Sequence, residues 1–361
     1  MLSIIYAYRN REHQRIRLSL ESLEKQSNKD FQVFFVDYGS AENNSQRVKE
    51  ICKKYHFVNY SYCSTEYQPW NKSKALNFII KKVETEYCFI ADVDIIFHSD
   101  FVNKAVKAQN LKKAIYFQVG FLKEEDTIKN EISKDFNEYS NYRKSNREVT
   151  GMTLIPVKAL REVRGYDEFF HCWGAEDTDM HVRLINAGYE VVFFDNEVLL
   201  LHQAHMSYRS TEQTKLTNEL QISGIVQLNH EHLNFAREQK ITRVNVTNWG
   251  ECMNHSELNE LLEAPVTFVV SNEQRKIDDL LLGQLPQINN KIIKVRILED
   301  PRMDSIKFKL KGILGKKIPQ YYSLKEINDK ILLHLISFYR GNPYIFRVKD
   351  NMNEIEFSVK L

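Results

Sequence analysis

The alternation of apolar, β-rich runs with amphipathic helical stretches in the first half of the chain constrains the fold most strongly. We predict strands over Leu2–Tyr8, Phe31–Asp37, Tyr87–Asp92, Ile115–Val119, Glu190–Phe194 and Val198–Leu201. We predict helices between the first three of these, over Glu12–Gln26, Asn44–Tyr55 and Ser73–Val83. Continuously apolar strands separated by helices indicate an α/β fold with a mainly parallel sheet that is covered on both faces.

The pattern changes after about residue 206. Further helices are predicted over Gln213–Asn218, Val226–Gln239 and Ser256–Glu263, before a break at Glu263-Ala264-Pro265. Beyond the break we predict strands over Val266–Val270 and Ile292–Leu298, a helix near Leu324–Phe338 and strands to Leu361. These elements predict a first domain of residues 1–245 and a smaller C-terminal α+β region of residues 246–361, to which no role is assigned.

Several classes of protein are disfavoured by what the sequence lacks. There is no GxGxxG after the first strand and no GxxxxGK[ST], which argues against a dinucleotide dehydrogenase and a P-loop NTPase. No uncharged apolar run approaches the roughly 18 residues of a membrane-spanning helix. The five cysteines are scattered and form no CxxC, so neither a disulfide framework nor a zinc knuckle is indicated. We therefore expect a cytoplasmic protein.

Positive charge is concentrated near the end of the chain. Six basic residues and the single acid Asp304 lie in the segment from Arg302 to Lys317. Nucleic acid would require a broader basic field with aromatic side chains for base stacking. A solvated face is the preferred interpretation, and peripheral contact with an anionic membrane is the alternative. Alternation in Lys307-Phe308-Lys309-Leu310-Lys311 predicts a strand with its lysines on one face.

Two carboxylates, Asp92 and Asp94, lie two residues apart within the apolar segment Phe89–Phe97. Ligands of a parallel sheet bind beyond the carboxyl ends of its strands. Residues i and i+2 of a strand share a face, so both acids are expected to point to one place. Their mutual repulsion would be relieved by a hard divalent cation with oxygen ligands. A turn with two solvated acids is the alternative.

Three further segments offer polar side chains. Trp173-Gly174-Ala175-Glu176-Asp177-Thr178-Asp179 places acids at a helix start, where they serve either as caps or as a fixed, ionised general base. His202 and His205 follow an apolar strand, as metal ligands or as satisfied imidazoles. Trp70-Asn71-Lys72-Ser73-Lys74 opens a helix whose amides and lysines suit a phosphate, although a charged surface helix explains the lysines equally well.

These segments together resemble the GT-A glycosyltransferases, most closely the β-1,4-galactosyltransferase-like group and bacterial chondroitin-polymerase-type domains. They follow the family's order over residues 2–205: Tyr8-Arg9-Asn10-Arg11 is similar to FRNR, Asp37-Tyr38-Gly39-Ser40 to DDGS, Trp70-Asn71-Lys72-Ser73-Lys74 to FNRAK, Asp92-Val93-Asp94 to DVD, and Gly165-Tyr166-Asp167 with the Trp173–Asp179 block to NGF…WGWGGEDDD. The block departs at Ala175, where the family has glycine, and at Thr178, where it has an acid. The resemblance implies the Rossmann-like GT-A fold and does not cover residues 265–361.

The resemblance also implies a role for each matched residue. Arg9 and Asp37 would hold uridine with Trp70 stacked on the base, Lys72 and Lys74 would face the diphosphate, and Asp92 would lie near the ribose. Asp94 would bind Mn²⁺ or Mg²⁺, with His202 as a further ligand and His205 as the alternative. Asp177 would be the catalytic base, and Trp173 and Glu176 would bind the acceptor sugar.

The implied activity is inverting, metal-dependent transfer of a hexose or N-acetylhexosamine from a UDP-sugar of the UDP-Gal or UDP-GalNAc type. The implied acceptor is a hydroxyl of a glycan or lipid-linked glycan in bacterial surface polysaccharide synthesis, at the inner face of the membrane if the basic segment binds lipid. Two alternatives stay open. One is a non-catalytic nucleotide-sugar-binding module of a synthase complex. The other is another metal-dependent nucleotide enzyme, although Ile5–Arg11 lacks the Gly-rich phosphate loop that a nucleotidyltransferase normally has.

Overall fold

The computed structural model describes residues 1–123, 134–206, 212–306, 310, 314 and 317–361. The chain divides into two compact units. The first unit comprises Met1–Glu66, Trp70–Ser210 and Ile225–Cys252, and the second comprises Tyr67–Pro69, Thr211–Gly224 and Met253–Leu361. The boundary at 245/246 stays a prediction. Lys307, Lys309 and Lys311, and with them the predicted basic strand, lie outside the described residues.

The first unit contains strands β1 to β11. Their bounds are Leu2–Tyr8, Phe31–Tyr38, Val58–Cys63, Tyr87–Ala91, Ile95–Phe97, Lys113–Phe117, Val119–Leu122, Tyr142–Lys144, Thr153–Pro156, Glu190–Phe194 and Leu200–His202. Seven of these strands form one sheet in the order β10-β6-β9-β4-β1-β2-β3. Only β9 pairs antiparallel with its neighbours in that sheet. The expected mainly parallel sheet is therefore confirmed.

A second sheet of the first unit has the order β5-β11-β7-β8. Its strand β5 is separated from β4 by three residues and pairs antiparallel with β11, which sets His202 opposite Ile95. Strand β11 also pairs parallel with β7. This small sheet thus brings the end of β11 next to the Asp92-Val93-Asp94 segment.

Helices α1 to α7 of the first unit are His13–Glu24, Glu42–Cys52, Lys72–Ile80, Phe101–Ala108, Val157–Glu162, Glu176–Asn186 and Ile225–Glu238. Two buried apolar clusters cover opposite faces of the main sheet. One includes Ile16 and Leu20 of α1 and Phe101 of α4, and the other includes Leu76 of α3 and Leu184 of α6. Helices therefore cover both faces, as expected for strands that are apolar throughout.

The second unit has its own sheet, formed by β12 (Phe268–Ser271), β13 (Ile292–Leu298), β14 (Tyr344–Val348) and β15 (Glu354–Lys360) in the order β12-β13-β15-β14. Its helices are α8 (His255–Glu263), α9 (Gln274–Asp279, continued by a π turn) and α10 (Leu324–His334, also continued by a π turn). None of the helices in the described part of the chain is long and apolar enough to cross a membrane.

Several predictions about elements need correction. Asp92 and Asp94 do not share a strand, because β4 ends at Ala91 and a turn follows it. Strands β5, β8 and β9 and helices α4 and α5 were not predicted. Strand β3, Val58–Cys63, was not predicted, because an edge strand that is only partly buried lacks the continuous apolar run of its neighbours. Gln213–Asn218 is not helical. Its polar groups are used in local contacts instead: the Gln213 amide donates to the Gln221 side chain, and the Thr217 hydroxyl donates to the Glu219 carbonyl. Such side-chain bonds compete with a helix.

Candidate active site

Three of the predicted site residues come from the carboxyl ends of parallel strands. Arg9 follows β1, Asp37 is the second-last residue of β2, and Asp92 follows β4. These three strands are neighbours in the sheet and run in the same direction. Their carboxyl ends therefore meet at one edge, where α/β sheets bind ligands.

The structure brings Asp94, His202 and His205 together, with one ligand atom of each lying within 4.8 Å of the others. His202 Nε2 is 3.6 Å from Asp94 Oδ1, and His205 Nε2 is 3.3 Å from Asp94 Oδ2. The Gln203 amide donates to the Asp94 carbonyl at 3.2 Å, which ties the end of β11 to this segment. Both histidines, and not one alone, could thus bind the same metal ion as Asp94.

Two observations show that this cluster fits a divalent cation. Asp94 is 3% exposed, and its Oδ1 atom is buried without a hydrogen-bond partner. His205 Nδ1 lies 2.7 Å from the Met206 carbonyl, to which it can donate only as N–H. In the neutral imidazole this leaves the lone pair of Nε2 directed at the carboxylate, so two acceptors face each other. One carboxylate with two imidazoles is a ligand set for divalent first-row transition metals.

Lys72 is the centre of a second charged cluster. Its Nζ lies 3.0 Å from Asp177 Oδ2, 3.2 Å from Asp92 Oδ1 and 3.5 Å from Glu176 Oε1. Burial would lower the pKa of Lys72, but the three carboxylates outweigh burial and hold that pKa well above its usual value. Burial would raise the pKa of Asp92, but the positive charges of Lys72 and His202 outweigh burial and lower that pKa.

Helix α6 carries the acid block. Its N-cap residue Ala175 has φ of +74°, the left-handed region that favours glycine. The first turn directs Glu176 and Asp177 to Lys72, whereas Asp179 forms a fully buried ion pair with Arg183 at 2.7 Å. Burial raises the pKa of Asp177 to about 6 against the opposing charge of Lys72. The acids of the block therefore divide into a site pair and a structural residue.

The residues predicted to bind uridine are also close together. The Arg9 guanidinium lies over the Tyr38 ring at 5.1 Å and the Trp70 ring at 5.9 Å, and it donates to the Tyr38 and Thr65 carbonyls. Asp37 is fully buried, which raises its pKa. Its two oxygens accept from the Ser40 amide and the Tyr60 hydroxyl, both at 2.9 Å. Its predicted contact with uridine stays a prediction and would require it to share an oxygen that is already bonded.

The two remaining predicted residues lie on either side of these clusters. Lys74, in the first turn of α3, is 6% exposed, and its amide donates to the Asn71 side chain. Trp173 is 41% exposed, and its carbonyl accepts from Asn229 of α7 at 3.0 Å. Trp173 therefore presents much of its indole to solvent beside the acids, while Lys74 is largely enclosed.

Several residues that hold the site together were not predicted. Asn77 of α3 is fully buried and bonds both backbone groups of Tyr166 as well as the Glu168 carboxylate. Asn71 caps α3 and donates to the Glu168 carbonyl. Both fix the loop that precedes the acid block against the helix that bears Lys72. Asn71 had a sequence signal as an N-cap, but an asparagine inside a helix, such as Asn77, shows no local pattern that reveals its partners.

Two family models match the sequence: "Glycosyl transferase family 2" over residues 3–163 and "N-terminal domain of galactosyltransferase" over residues 130–209. No curated protein matches the chain. Among solved structures, GalNAc-T7 with UDP, GalNAc and Mn²⁺ has a TM-score of 0.51 at 11% identity, covering 66% of this chain and 49% of its own. This likeness supports the fold.

Two other solved structures show weaker likeness. TarS from S. aureus has a TM-score of 0.42 at 16% identity, covering 56% of this chain and 36% of its own. The mannosyltransferase PcManGT from Pyrobaculum calidifontis, in complex with GDP-Man and Mn²⁺, has a TM-score of 0.42 at 14% identity, covering 66% and 71%. The chain spans less than half the length of TarS and of GalNAc-T7.

The order of the two matched regions agrees with the order of the site residues along the chain. The family 2 region contains Arg9, Asp37, Lys72 and Asp94, and the galactosyltransferase region contains Asp177, His202 and His205. The two matches and the sheet topology together support a GT-A glycosyltransferase, with a family 2 region followed by a galactosyltransferase-like region.

Proposed function

We propose that the protein is an inverting, metal-dependent glycosyltransferase that moves a hexose or N-acetylhexosamine from a UDP-sugar to a glycan hydroxyl. The observation that carries the proposal is the meeting of two clusters at one edge of the sheet. Asp94 with its two histidines forms a cation site, and Asp177 lies beside a lysine that also contacts Asp92. The cation site would stabilise a diphosphate leaving group, and the cluster around Asp177 would supply the proton acceptor.

The donor nucleotide binds at the ends of β1 and β2. Uracil packs against the exposed part of Trp70, beside the Arg9 guanidinium. Asp37 holds the Ser40 turn and Tyr60 beneath this surface. The ribose lies near Asp92, which is 38% exposed. Lys74 is the cation on α3 that we assign to the diphosphate.

Asp94, His202 and His205 would hold Mn²⁺ or Mg²⁺. When bound there, the cation neutralises the charge that develops on the leaving diphosphate. The three side chains would contribute by fixing the cation at the edge of the sheet. The tautomer of His205 is set by the Met206 carbonyl, which keeps Nε2 available as a ligand.

Asp177 is the catalytic base. A sugar hydroxyl is a poor nucleophile and must lose its proton during attack on the anomeric carbon. The new C–O bond forms as the bond from that carbon to the UDP oxygen breaks, and Asp177 takes the hydroxyl proton. A single displacement inverts the anomeric centre, so an α-linked donor gives a β-linkage. Trp173 and Glu176 bind the acceptor sugar next to the base.

We assign the reaction to bacterial surface polysaccharide synthesis, with a glycan or lipid-linked glycan as acceptor. The basic segment between Arg302 and Lys317 would place the protein at the cytoplasmic face of an anionic membrane. Flotation with anionic liposomes tests this contact. Substitution of Lys307, Lys309 and Lys311 by glutamine should abolish co-flotation, and equal flotation of parent and variant would refute the contact.

Release of UDP from a panel of UDP-sugars, with and without Mn²⁺, tests the proposed function. We expect Mn²⁺-dependent release from one donor, which also identifies the sugar. UDP binding without release in the absence of an acceptor is compatible with the proposal, and added glycan acceptors should then start turnover. If the protein neither releases nor binds UDP, the result would favour a module that kept the fold without the chemistry.

A further inference from the structure

Lys72 is placed unlike a cation that waits for a phosphate. It is the first residue of α3, its side chain is 15% exposed, and its ammonium already contacts three carboxylates at 3.0, 3.2 and 3.5 Å. Two of these acids belong to the start of α6 and one follows β4. A single ammonium therefore joins the acid block to the end of a central strand.

We infer that Lys72 is a positioning residue that aims the Asp177 carboxylate and keeps it ionised by an ion pair that also holds Asp92. The inference rests on the proposed function, in which Asp177 accepts the proton of the acceptor hydroxyl. It assigns Lys72 to the base, whereas the sequence assigned it to the diphosphate.

The charges around Asp177 show why the lysine is needed. Glu176 and Asp92 are like charges, and the buried Tyr166 hydroxyl lies close enough to interact electrostatically. Lys72 is the cation that opposes them at hydrogen-bonding distance from Asp177 Oδ2. Without Lys72, three carboxylates would lie together in a partly dehydrated site. Protonation of one of them would then be the least costly way to reduce their mutual repulsion.

The geometry also leaves room for a substrate. Gly151 lies beside the Asp177 carboxylate, and a Cβ at that position would come to 3.4 Å from Oδ2. Among the described residues other than the two chain neighbours of Gly151, no other atom would lie within 4 Å of such a Cβ. Lys72 thus contacts the carboxylate from α3, while the Gly151 side stays open for a hydroxyl group.

The pH dependence of transfer separates the two roles of Lys72. In the wild type we expect kcat/KM to fall as the pH drops below about 6. Lys72→Gln should move this acid limb upward by about one pH unit or more. Lys72→Arg keeps the charge and should restore the wild-type limb. UDP affinity in Mn²⁺ should change by less than about threefold in Lys72→Gln.

An acid limb that stays in place in Lys72→Gln overturns the inference. If the same variant loses UDP affinity by about tenfold or more, Lys72 is a diphosphate ligand instead. These readouts presuppose turnover. If the protein turns over no donor, a second measurement therefore has to test the ion pair.

Thermal unfolding provides that measurement. At pH 8, Lys72→Gln should lower Tm by about 5 °C or more, because it leaves three partly buried carboxylates without their shared cation. The loss should shrink toward pH 5 as Asp177 takes up a proton, and adding Asp177→Asn should recover part of it. Lys81→Gln is the control, since it breaks an exposed pair with Glu251 of the same 3.0 Å length.

Additive Tm changes for Lys72→Gln and Asp177→Asn would overturn the inference whether or not the protein turns over a donor. Non-additive changes without transfer activity would support the ion pair and reject the proposed function. The failure of the inference and the failure of the function are therefore distinguishable.

Discussion

At the residue scale, the acids at the start of α6 divide into two that face the site and one that stabilises the fold. Asp177 and Glu176 face the lysine, whereas Asp179, two residues further along, is fully buried against Arg183. The sequence shows only a run of acids at a helix start. Which of them faces the site depends on the 100° turn between successive helix positions and on what packs behind α6. The resemblance therefore indicates the base better than it indicates the structural acid.

Asp177→Asn should lower kcat by at least about a hundredfold, because the amide cannot accept the proton of the acceptor hydroxyl. Affinity for UDP with Mn²⁺ should stay near the wild-type value, since Asp177 does not contact the metal ligands. Steady-state kinetics and calorimetry on the same preparation check the two halves. Normal turnover in this variant would remove Asp177 from the mechanism.

The pH profile of the wild type gives an independent prediction. Burial raises the pKa of Asp177 to about 6, and a base must be ionised to act. The rate should therefore rise as the pH rises through about 6 and then level off. A rate that falls over this range would show that the essential group acts as an acid.

At the element scale, α6 combines local strain with a buried charge pair. Ala175 holds a left-handed conformation that a residue with a Cβ adopts at a cost. Neither strand β3 nor the contacts of Asn77 could be predicted from sequence patterns. Both depend on partners distant in sequence, which periodicity within one segment cannot reveal.

Ala175→Gly should raise the free energy of unfolding by up to about 1 kcal/mol, because glycine tolerates the positive φ. Ala41→Gly is a matched control, since Ala41 also precedes a helix but has φ of −54°. The control should be neutral or slightly destabilising. Equal effects of the two substitutions in denaturant titrations would show that no strain is released at Ala175.

Arg183→Met should destabilise the protein by about 3–5 kcal/mol, because it leaves Asp179 buried without its partner. The guanidinium also donates to the Val163 and Gly165 carbonyls, which lose their donor. Replacing Asp179 by leucine in addition should recover part of the loss. Urea unfolding of both variants measures this, and an unaffected single variant would contradict the structural role of the pair.

At the scale of the whole molecule, the strands β1, β2, β4, β6 and β10 and the helices α1 to α3 were predictable, because these strands are largely apolar and these helices are amphipathic. The seven-stranded sheet and its two helical layers follow that pattern. The grouping of Thr211–Gly224 with the second unit was not predicted, since the sequence pattern indicated a helix over Gln213–Asn218 and placed this segment in the first domain. The meeting of Asp94 with both histidines required the pairing of β5 with β11, which links residues far apart in sequence.

The central claim is that the edge of the main sheet binds a divalent cation and a nucleoside diphosphate together. Calorimetric titration of UDP, with and without Mn²⁺, on the wild type, Asp94→Ala and the exposed-residue control His56→Ala tests it most directly. We predict that Mn²⁺ strengthens UDP binding by about tenfold or more in the wild type and the control, and has no effect in Asp94→Ala. UDP binding that is insensitive to Mn²⁺, or an Asp94→Ala variant that responds to Mn²⁺ like the wild type, would contradict the account.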